Sequence, residues 1–175
     1  AALGAEFVRW EVATAIAGAL LEINPLDGPN GQKAKDATRV LLSRYTSQGE
    51  LGTRRAERTL DSGATLTSSA AARGALGGGH GPEGLLTLLQ PHDYFALLAY
   101  LGPNPELFDE LRALRIAVRD RARVATMFGY GPRYLHSTGQ LHKGGPNTGV
   151  FLLVSATPQS DLAIPGQQYS FGTLE

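Results

Sequence analysis

The sequence predicts an α/β fold, a three-layer α/β/α sandwich built on a mostly parallel sheet. From residue 93 onward, apolar runs of strand length alternate with helical segments in the order strand, helix, strand, helix, strand. The apolar runs are unbroken, which is typical of parallel strands that are covered on both faces. The 175 residues, 42% of them hydrophobic and 18% charged, suit one domain over 1–175 with a hydrophobic core.

Two helices are expected before residue 50. Residues 5–22 carry apolar side chains on more than one helical face, so this helix is expected to be buried between layers. Glu11 within it is expected to be half-buried and paired. The Asn-Pro pair at 24–25 ends the helix, because the residue before proline avoids the helical region. A second helix is expected from about Gly31, with these residues facing inward: Ala34, Thr38, Leu41 and Tyr45.

The middle of the chain has weaker patterns. Residues 60–69 are compatible with a strand. Residues 70–84 are rich in glycine and have no periodicity, so a flexible loop is expected at about 70–84. The sequence indicates no interaction partner for His80 or His92, and both are expected to be exposed.

The elements of the parallel sheet follow. Residues 93–101 form an apolar run of strand length, and Asn104-Pro105 then opens a helix with a capping side chain followed by proline. The residues expected on the inner face of this helix are Leu107, Leu111, Leu114 and Val118. Three further elements are a strand at 124–131, a short helix at 132–142 and a strand at 149–156.

Composition excludes several kinds of partner. Lys plus Arg and Asp plus Glu are equal at 16 each, so no charge excess indicates nucleic acid or a basic partner. The chain has no cysteine, which excludes disulfides and thiolate metal sites and fits a reducing cytoplasm. No apolar run reaches the roughly 18 residues that a membrane span needs. The start without Met leads us to expect a piece of a longer protein.

The first candidate site is the polar stretch that begins at Gly129, at the expected carboxyl end of a strand. Ligands of open parallel sheets bind at such ends. Gly129 and Gly131 permit a sharp turn, and Pro132 suits the first position of a helix whose free N–H groups attract anions. The side chains expected around an anion or a polyhydroxylated ligand are Arg133, His136, Ser137 and Thr138. A polar helix start near the surface explains the same residues.

His136 is of a residue type that transfers protons near neutral pH, although a structural or exposed role is also open. His136 and His142 are six residues apart rather than four, and no acidic residue lies between them, so we expect no metal site. Residues 144–149 lack the spacing of a phosphate-binding P-loop and are expected to be a turn that leads into the next strand.

Lys35 is the second candidate. With a helix from about Gly31, Lys33 and Lys35 fall in its first turn, where the helix dipole disfavours cations. A bound anion would remove this conflict, so Lys35 is a candidate for holding phosphate or developing negative charge. A solvated lysine on a helix face is the alternative.

Four stretches of the chain resemble the C-terminal part of the bacterial bifunctional transaldolase/glucose-6-phosphate isomerases. They are residues 6–39, 93–101, 129–154 and 161–174, of which "HSTGQLHKGGPNTG" is the most specific. The resemblance implies a sugar isomerase (SIS) domain. It also implies an enzyme that interconverts glucose 6-phosphate and fructose 6-phosphate through an enediol or enediolate, without a cofactor.

The resemblance also implies roles for individual residues. The family's lysine in an "INPFDQxxVxxxK"-type stretch, which binds substrate oxygens and stabilises charge, matches Lys35. The histidine that helps to open the sugar ring matches His136, with His142 a weaker candidate. Arg133, Ser137 and Thr138, which the helix-start pattern places around a ligand, are expected to bind the substrate. Relative to conventional isomerases, the two motifs occur in reverse order along the chain.

The sequence departs from the family in two ways. Gly28 stands where the family usually has Gln, which removes a polar group expected near the ligand. The "ESTGK"-type stretch that carries the proton-transferring Glu is absent. That Glu, a partner SIS domain and the transaldolase domain are expected upstream in the full protein. The chain alone is therefore expected to be nearly inactive. The sequence is also compatible with a homo-oligomer. The alternative function, which Gly28 favours, is a non-catalytic sugar-phosphate-binding or assembly module.

Overall fold

The computed structural model describes residues 2–26, 29–52, 56–77, 80–102, 104–136, 139–157 and 159–174. The protein is mixed α/β and about half helical, with a three-stranded parallel sheet. The chain divides into two compact units, Ala1–Ala37 and Thr38–Glu175. The parallel sheet and its core lie in the second unit. None of the helices in the described ranges is long and apolar enough to cross a membrane.

Helix α1 (Ala2–Leu21) makes up most of the first unit and confirms the first expected helix. It ends where Glu22 adopts a left-handed conformation and the amide of Ile23 donates to the carbonyl of Gly18. A side chain at Gly18 would meet the ring of Pro25 at 2.5 Å. The Asn-Pro segment therefore folds back over the last turn of α1, and glycine at position 18 leaves room for it.

The expectation that α1 is buried between layers is wrong for the described chain. Gly18 is its only buried residue, whereas Phe7 and Trp10 are 61% and 70% exposed. Glu11 is exposed as well, rather than half-buried. Apolar residues on several faces indicate that a helix favours burial, but they do not show what covers it.

Helix α2 (Pro29–Gln48) begins two residues earlier than expected, at a proline, which is a favoured residue in the first turn. Among the four residues expected to face inward, Tyr45 is half-buried. The other three are exposed: Ala34, Thr38 and Leu41. The surface of α2 is largely polar, with a hydrogen bond from Gln32 to Asp36 at the i,i+4 spacing that supports helices.

A short antiparallel hairpin opens the middle of the chain. Its strands are β1 (Arg58–Thr59) and β2 (Thr65–Leu66). Gly63 adopts a φ of 83° in the connecting turn, a conformation that favours glycine. The strand expected at 60–69 is therefore present only as Thr65–Leu66.

The loop expected at 70–84 is replaced by helix over most of its length. Helix α3 (Ala70–Leu76) is followed by a 3-10 helix at Pro82–Leu88, and residues 78 and 79 lie outside the described ranges. The hydroxyl of Ser69 caps α3 by accepting from the amide of Ala72 at 3.1 Å. The alanine-rich run favours helix, but seven residues are too few to show helical periodicity. His80 and His92 are exposed, as expected.

The three parallel strands occur where the sequence predicts them. They are β3 (Tyr94–Tyr100), β4 (Ala125–Tyr130) and β5 (Gly149–Ser155), in the order β4-β3-β5. Helix α4 (Pro105–Ala122) connects β3 to β4, and the side chain of Asn104 caps it by accepting from the amide of Leu107 at 3.1 Å. The turn expected at 144–149 leads into β5, also as predicted.

The core lies on both faces of β3. On one face, Phe95, Leu97 and Ala99 pack against Leu111 and Val118 of α4. Burial of a side chain such as Phe95 or Leu97 contributes about 1.5–3 kcal/mol. The residues of the other face are Tyr94, Ala96 and Leu98, which pack with Met127, Tyr134 and Phe151. Leu114, expected on the inner face of α4, is 43% exposed, whereas Leu107 is partly buried against the core.

Two short helices complete the fold. Helix α5 (Gln140–Gly144) precedes β5, and helix α6 (Phe171–Leu174) ends the described chain. Asp161 holds the start of α6, because its carboxylate accepts from the amide of Gly172 at 2.7 Å and from the hydroxyl of Ser170. These bonds lower the pKa of Asp161 below its usual range.

Candidate functional site

A groove of about 1150 Å³ lies along β4 and the turn that follows its carboxyl end. Its polar and aromatic lining includes Tyr130, Arg133, Tyr134, His136 and His142. Its apolar lining includes Leu98, Phe108, Met127 and Phe128. All of these residues belong to the second unit. The groove therefore brings Arg133 and His136, two of the predicted site residues, to one place.

The short helix expected at 132–142 is divided in the structure. A 3-10 turn covers Arg133–Leu135, and α5 begins at Gln140. Within the turn, the amide of Leu135 donates to the carbonyl of Pro132 at 2.9 Å and the amide of His136 donates to that of Arg133 at 3.3 Å. These two amides are therefore paired within the turn and do not contribute free N–H groups to the expected cradle.

The side chains of Arg133 and His136 are exposed, and among the described residues neither has a hydrogen bond or an ion pair. A guanidinium can donate two parallel hydrogen bonds to a phosphate. An imidazole can donate or accept a proton near neutral pH. The side chains of Arg133 and His136 are thus available to an anionic ligand in this groove. Ser137 and Thr138, also predicted at this site, lie outside the described residues.

Lys35 lies in α2, in the first unit, and is exposed; it does not line the groove along β4. Because α2 begins at Pro29, Lys33 and Lys35 fall in the second turn of the helix and not in the first. The effect of the dipole has weakened there, so the expected conflict between these cations and the helix start does not arise. The case for Lys35 consequently rests on the resemblance alone. Gly28 lies outside the described residues.

Three glycines around the turn make room for close packing rather than for an unusual backbone. Gly129 and Gly131 have no positive φ, although the backbone turns at Gly131 and Pro132 as expected. A Cβ at Gly129 would lie 2.9 Å from the Cβ of Tyr134, and one at Gly131 would lie 2.5 Å from the ring of Tyr100. A Cβ at Gly139 would lie 2.4 Å from the carbonyl oxygen of Tyr134. The glycines therefore allow the aromatic residues and the turn to approach the sheet.

His142 occupies an aromatic pocket on the sheet face opposite α4. Its Nδ1 lies 2.9 Å from the hydroxyl oxygen of Tyr94, and the two rings are stacked with centroids 5.6 Å apart. The rings of Phe151 and Tyr134 lie edge-on at 5.2 Å and 6.3 Å. Burial lowers the pKa of His142 and raises that of Tyr94, because a partly apolar environment disfavours the charged form of each.

The sequence patterns did not reveal Tyr134, which lines the groove, or Lys143, which bonds to the turn beside it. Burial, together with a hydrogen bond to Tyr100, raises the pKa of Tyr134 well above its usual value, so its hydroxyl stays protonated. The Nζ of Lys143 donates to the carbonyl oxygen of Leu135 at 2.7 Å, directly before His136. The signal in the sequence was the clustering of Gly, Tyr, His and Lys between residues 129 and 143.

A second groove, of about 1100 Å³, lies between β5, the hairpin and α3. Its charged lining includes Arg73, which forms an ion pair with Glu57 at 2.6 Å. None of the predicted site residues lies in this groove. We therefore take the groove along β4 as the candidate site.

No group of three or more His, Asp or Glu side chains in the described part of the chain could hold a metal ion. Comparison with known proteins matches the chain to no family model, no curated protein and no solved structure. The fold and the site define an α/β protein with an exposed guanidinium and an exposed imidazole in a groove at the carboxyl end of a parallel strand.

Proposed function

We propose that this chain is the C-terminal SIS domain of a glucose-6-phosphate isomerase, of the type that is fused to transaldolase. Its sheet would then be the centre of an SIS-like three-layer sandwich. The four resembling stretches support the proposal. The structural observation that supports it best is that Arg133 and His136, both from the resembling stretch at residues 129–154, line one groove at the end of β4. Open parallel sheets bind ligands at this end of their strands.

In this proposal the substrate is a phosphorylated hexose. His136 acts as the acid and base that opens the sugar ring, and its exposure leaves the imidazole accessible to the ligand. Arg133 binds substrate through charge-assisted hydrogen bonds, together with Ser137 and Thr138. Lys35 binds substrate oxygens and stabilises the charge that develops on them.

The base that moves the proton between carbon atoms is a Glu on an upstream part of the enzyme. We propose that the whole enzyme is cytoplasmic. General acid–base catalysis contributes about 10²–10⁴ in rate. A chain without that Glu is therefore nearly inactive alone, although it supplies groups that the whole enzyme needs.

Isomerase assays test this division of roles. The chain is assayed alone and mixed with the upstream half of its gene product, with His136→Ala as the matched variant. We expect little turnover by the chain alone, restored turnover in the mixture, and loss of that restoration with His136→Ala. Rapid turnover by the chain alone would contradict the missing-base account.

The second candidate function is a non-catalytic sugar-phosphate-binding or assembly module. The observation that favours assembly is α1, whose exposed apolar residues include Phe7, Trp10 and Ile16. Exposed apolar surface of this kind marks interaction sites. Calorimetry with fructose 6-phosphate separates the candidates. Binding that Lys35→Ala abolishes supports the sugar-phosphate site, whereas no binding favours assembly.

A further inference from the structure

We infer that His142 and Lys143 are positioning residues, which together clamp the Arg133–Leu135 turn onto the sheet and fix the backbone that carries Arg133 and His136. The inference extends the proposed function. Its consequence for ligand binding rests on that function. The clamp itself belongs to the unliganded chain and can be tested without a ligand.

Lys143 holds the main chain of the turn. Its Nζ donates to the carbonyl oxygen of Leu135 at 2.7 Å, a short bond in which the donor is charged. Such bonds are stronger than those between neutral groups. The carbonyl belongs to the peptide group that joins Leu135 to His136, so the bond restrains the backbone at the position where His136 begins.

His142 holds the side chain of the turn. Its ring lies 6.3 Å from that of Tyr134, the middle residue of the turn, and is itself fixed by Tyr94 and Phe151, which belong to β3 and β5. Aromatic pairs at such distances stabilise their arrangement by about 0.5–1.5 kcal/mol. The turn is thus connected to two strands through one imidazole.

The glycines leave little space for the turn to shift. Gly129 and Gly139 contact Tyr134 and Leu135 so closely that a methyl group on either glycine would overlap them. Two adjacent residues of α5 therefore restrain a turn that is already in tight contact with its own flanking backbone.

The clamp implies different roles for His136 and His142. His142 is half-buried and its Nδ1 is paired with the hydroxyl of Tyr94, whereas His136 is exposed in the groove. An imidazole that is fixed between aromatic rings is suited to positioning its neighbours. The imidazole of His136 is the more exposed of the two in the groove and is therefore the more accessible to a ligand.

Amide hydrogen exchange measured by NMR tests the clamp in the unliganded chain. The reporters are the amides of Leu135 and His136, which bond within the turn. We expect Lys143→Met to accelerate their exchange about tenfold or more, and Lys143→Arg to restore slow exchange because Arg also donates to a carbonyl. Exchange at Leu97, in the centre of β3, should not change. Unchanged exchange in Lys143→Met would overturn the role of Lys143.

Tyr94→Phe tests the His142 side of the clamp with little change in volume. We expect the Nδ1 resonance of His142 to shift and exchange at His136 to accelerate several-fold, because the ring loses its hydrogen bond. An unshifted resonance together with unchanged exchange would overturn the role of His142.

Calorimetry with fructose 6-phosphate then separates this inference from the proposed function. If the native chain binds, Lys143→Met should weaken binding at least about fivefold, with recovery in Lys143→Arg. Binding unaltered by Lys143→Met would contradict the inference. If the native chain does not bind, the proposed function fails, and the exchange data alone decide whether the clamp exists.

Discussion

The hydroxyl oxygen of Tyr94 lies 2.9 Å from Nδ1 of His142, across 48 positions of sequence. Tyr94 begins the central strand and His142 lies in α5, so this contact fixes the short helix to the sheet. The hydrogen bond also uses the Nδ1 atom of His142, whereas the imidazole of His136 is exposed. The resemblance implies the proposed acid and base role for His136, and this difference in exposure agrees with it.

Removal of the Tyr94 hydroxyl should destabilise the protein. Tyr94→Phe keeps the ring and its packing but removes the hydrogen bond to His142, which should lower the free energy of unfolding by about 0.5–1.5 kcal/mol. Urea denaturation at about pH 8, where His142 is neutral, measures the change. Tyr169→Phe is the matched control, and an equal loss in both variants would show that the contact contributes nothing specific.

The stability of the protein should depend on pH through His142. Burial lowers the pKa of His142 below its usual value near 6.5, so the unfolded chain binds a proton more readily than the folded chain. The free energy of unfolding should therefore decrease as the pH falls through about 6.5 towards the lower folded pKa.

Urea titrations between about pH 8 and pH 5.5 measure this dependence for the native chain and for His142→Asn. The variant should lose the part of the slope that His142 contributes. His92→Asn is the control, because His92 is exposed and its φ of 75° is one that Asn tolerates. If His142→Asn retained the slope and His92→Asn lost it, the assignment to His142 would be wrong.

Two Gly-to-Ala changes should have opposite effects. At Gly139 the added methyl group would meet backbone atoms of Tyr134 and Leu135, so Gly139→Ala should destabilise the protein by about 1–3 kcal/mol. At Gly74, inside α3, nothing lies within 4 Å. Gly74→Ala should stabilise by about 0.5–1 kcal/mol, because Ala favours helix. Thermal denaturation checks both, and equal stability in the two variants would contradict the packing described around the turn.

The cap of α4 should be measurable in the same way. Asn104→Ala removes the oxygen that accepts from the amide of Leu107 and should cost about 1 kcal/mol. Asn104→Asp keeps an acceptor near the helix start and should preserve stability. A cap that contributes nothing would show up as identical unfolding midpoints for all three proteins.

Much of the second unit could be predicted from the sequence because its signals are local. The run at β3 and the Asn-Pro pair before α4 each identify an element within a few residues. The approach of Tyr94 to His142 could not be predicted, because no periodic pattern relates residues so far apart. The close packing of Tyr134 in the 3-10 turn against Gly129 is likewise a tertiary contact that no local pattern indicates.

In the first unit, the secondary structure could be predicted from the sequence, but the burial of the helix could not. The helix containing Phe7 and Trp10 was predicted correctly, but its burial was not, since an apolar pattern does not specify the covering surface. The electrostatic argument for Lys35 rested on a helix start near Gly31; the observed start at Pro29 moves that lysine out of the first turn. An error of two residues in a helix boundary was enough to remove an electrostatic argument.

The most direct test of the central claim is calorimetric titration of the chain with fructose 6-phosphate. The native chain should bind, and Arg133→Ala and His136→Ala should each weaken binding about tenfold or more, because charged groups lose hydrogen bonds to the ligand. Arg112→Ala, which removes an exposed arginine from α4, should bind like the native chain. No binding by the native chain, or equal affinity in Arg133→Ala, His136→Ala and Arg112→Ala, would contradict a sugar-phosphate site in this groove.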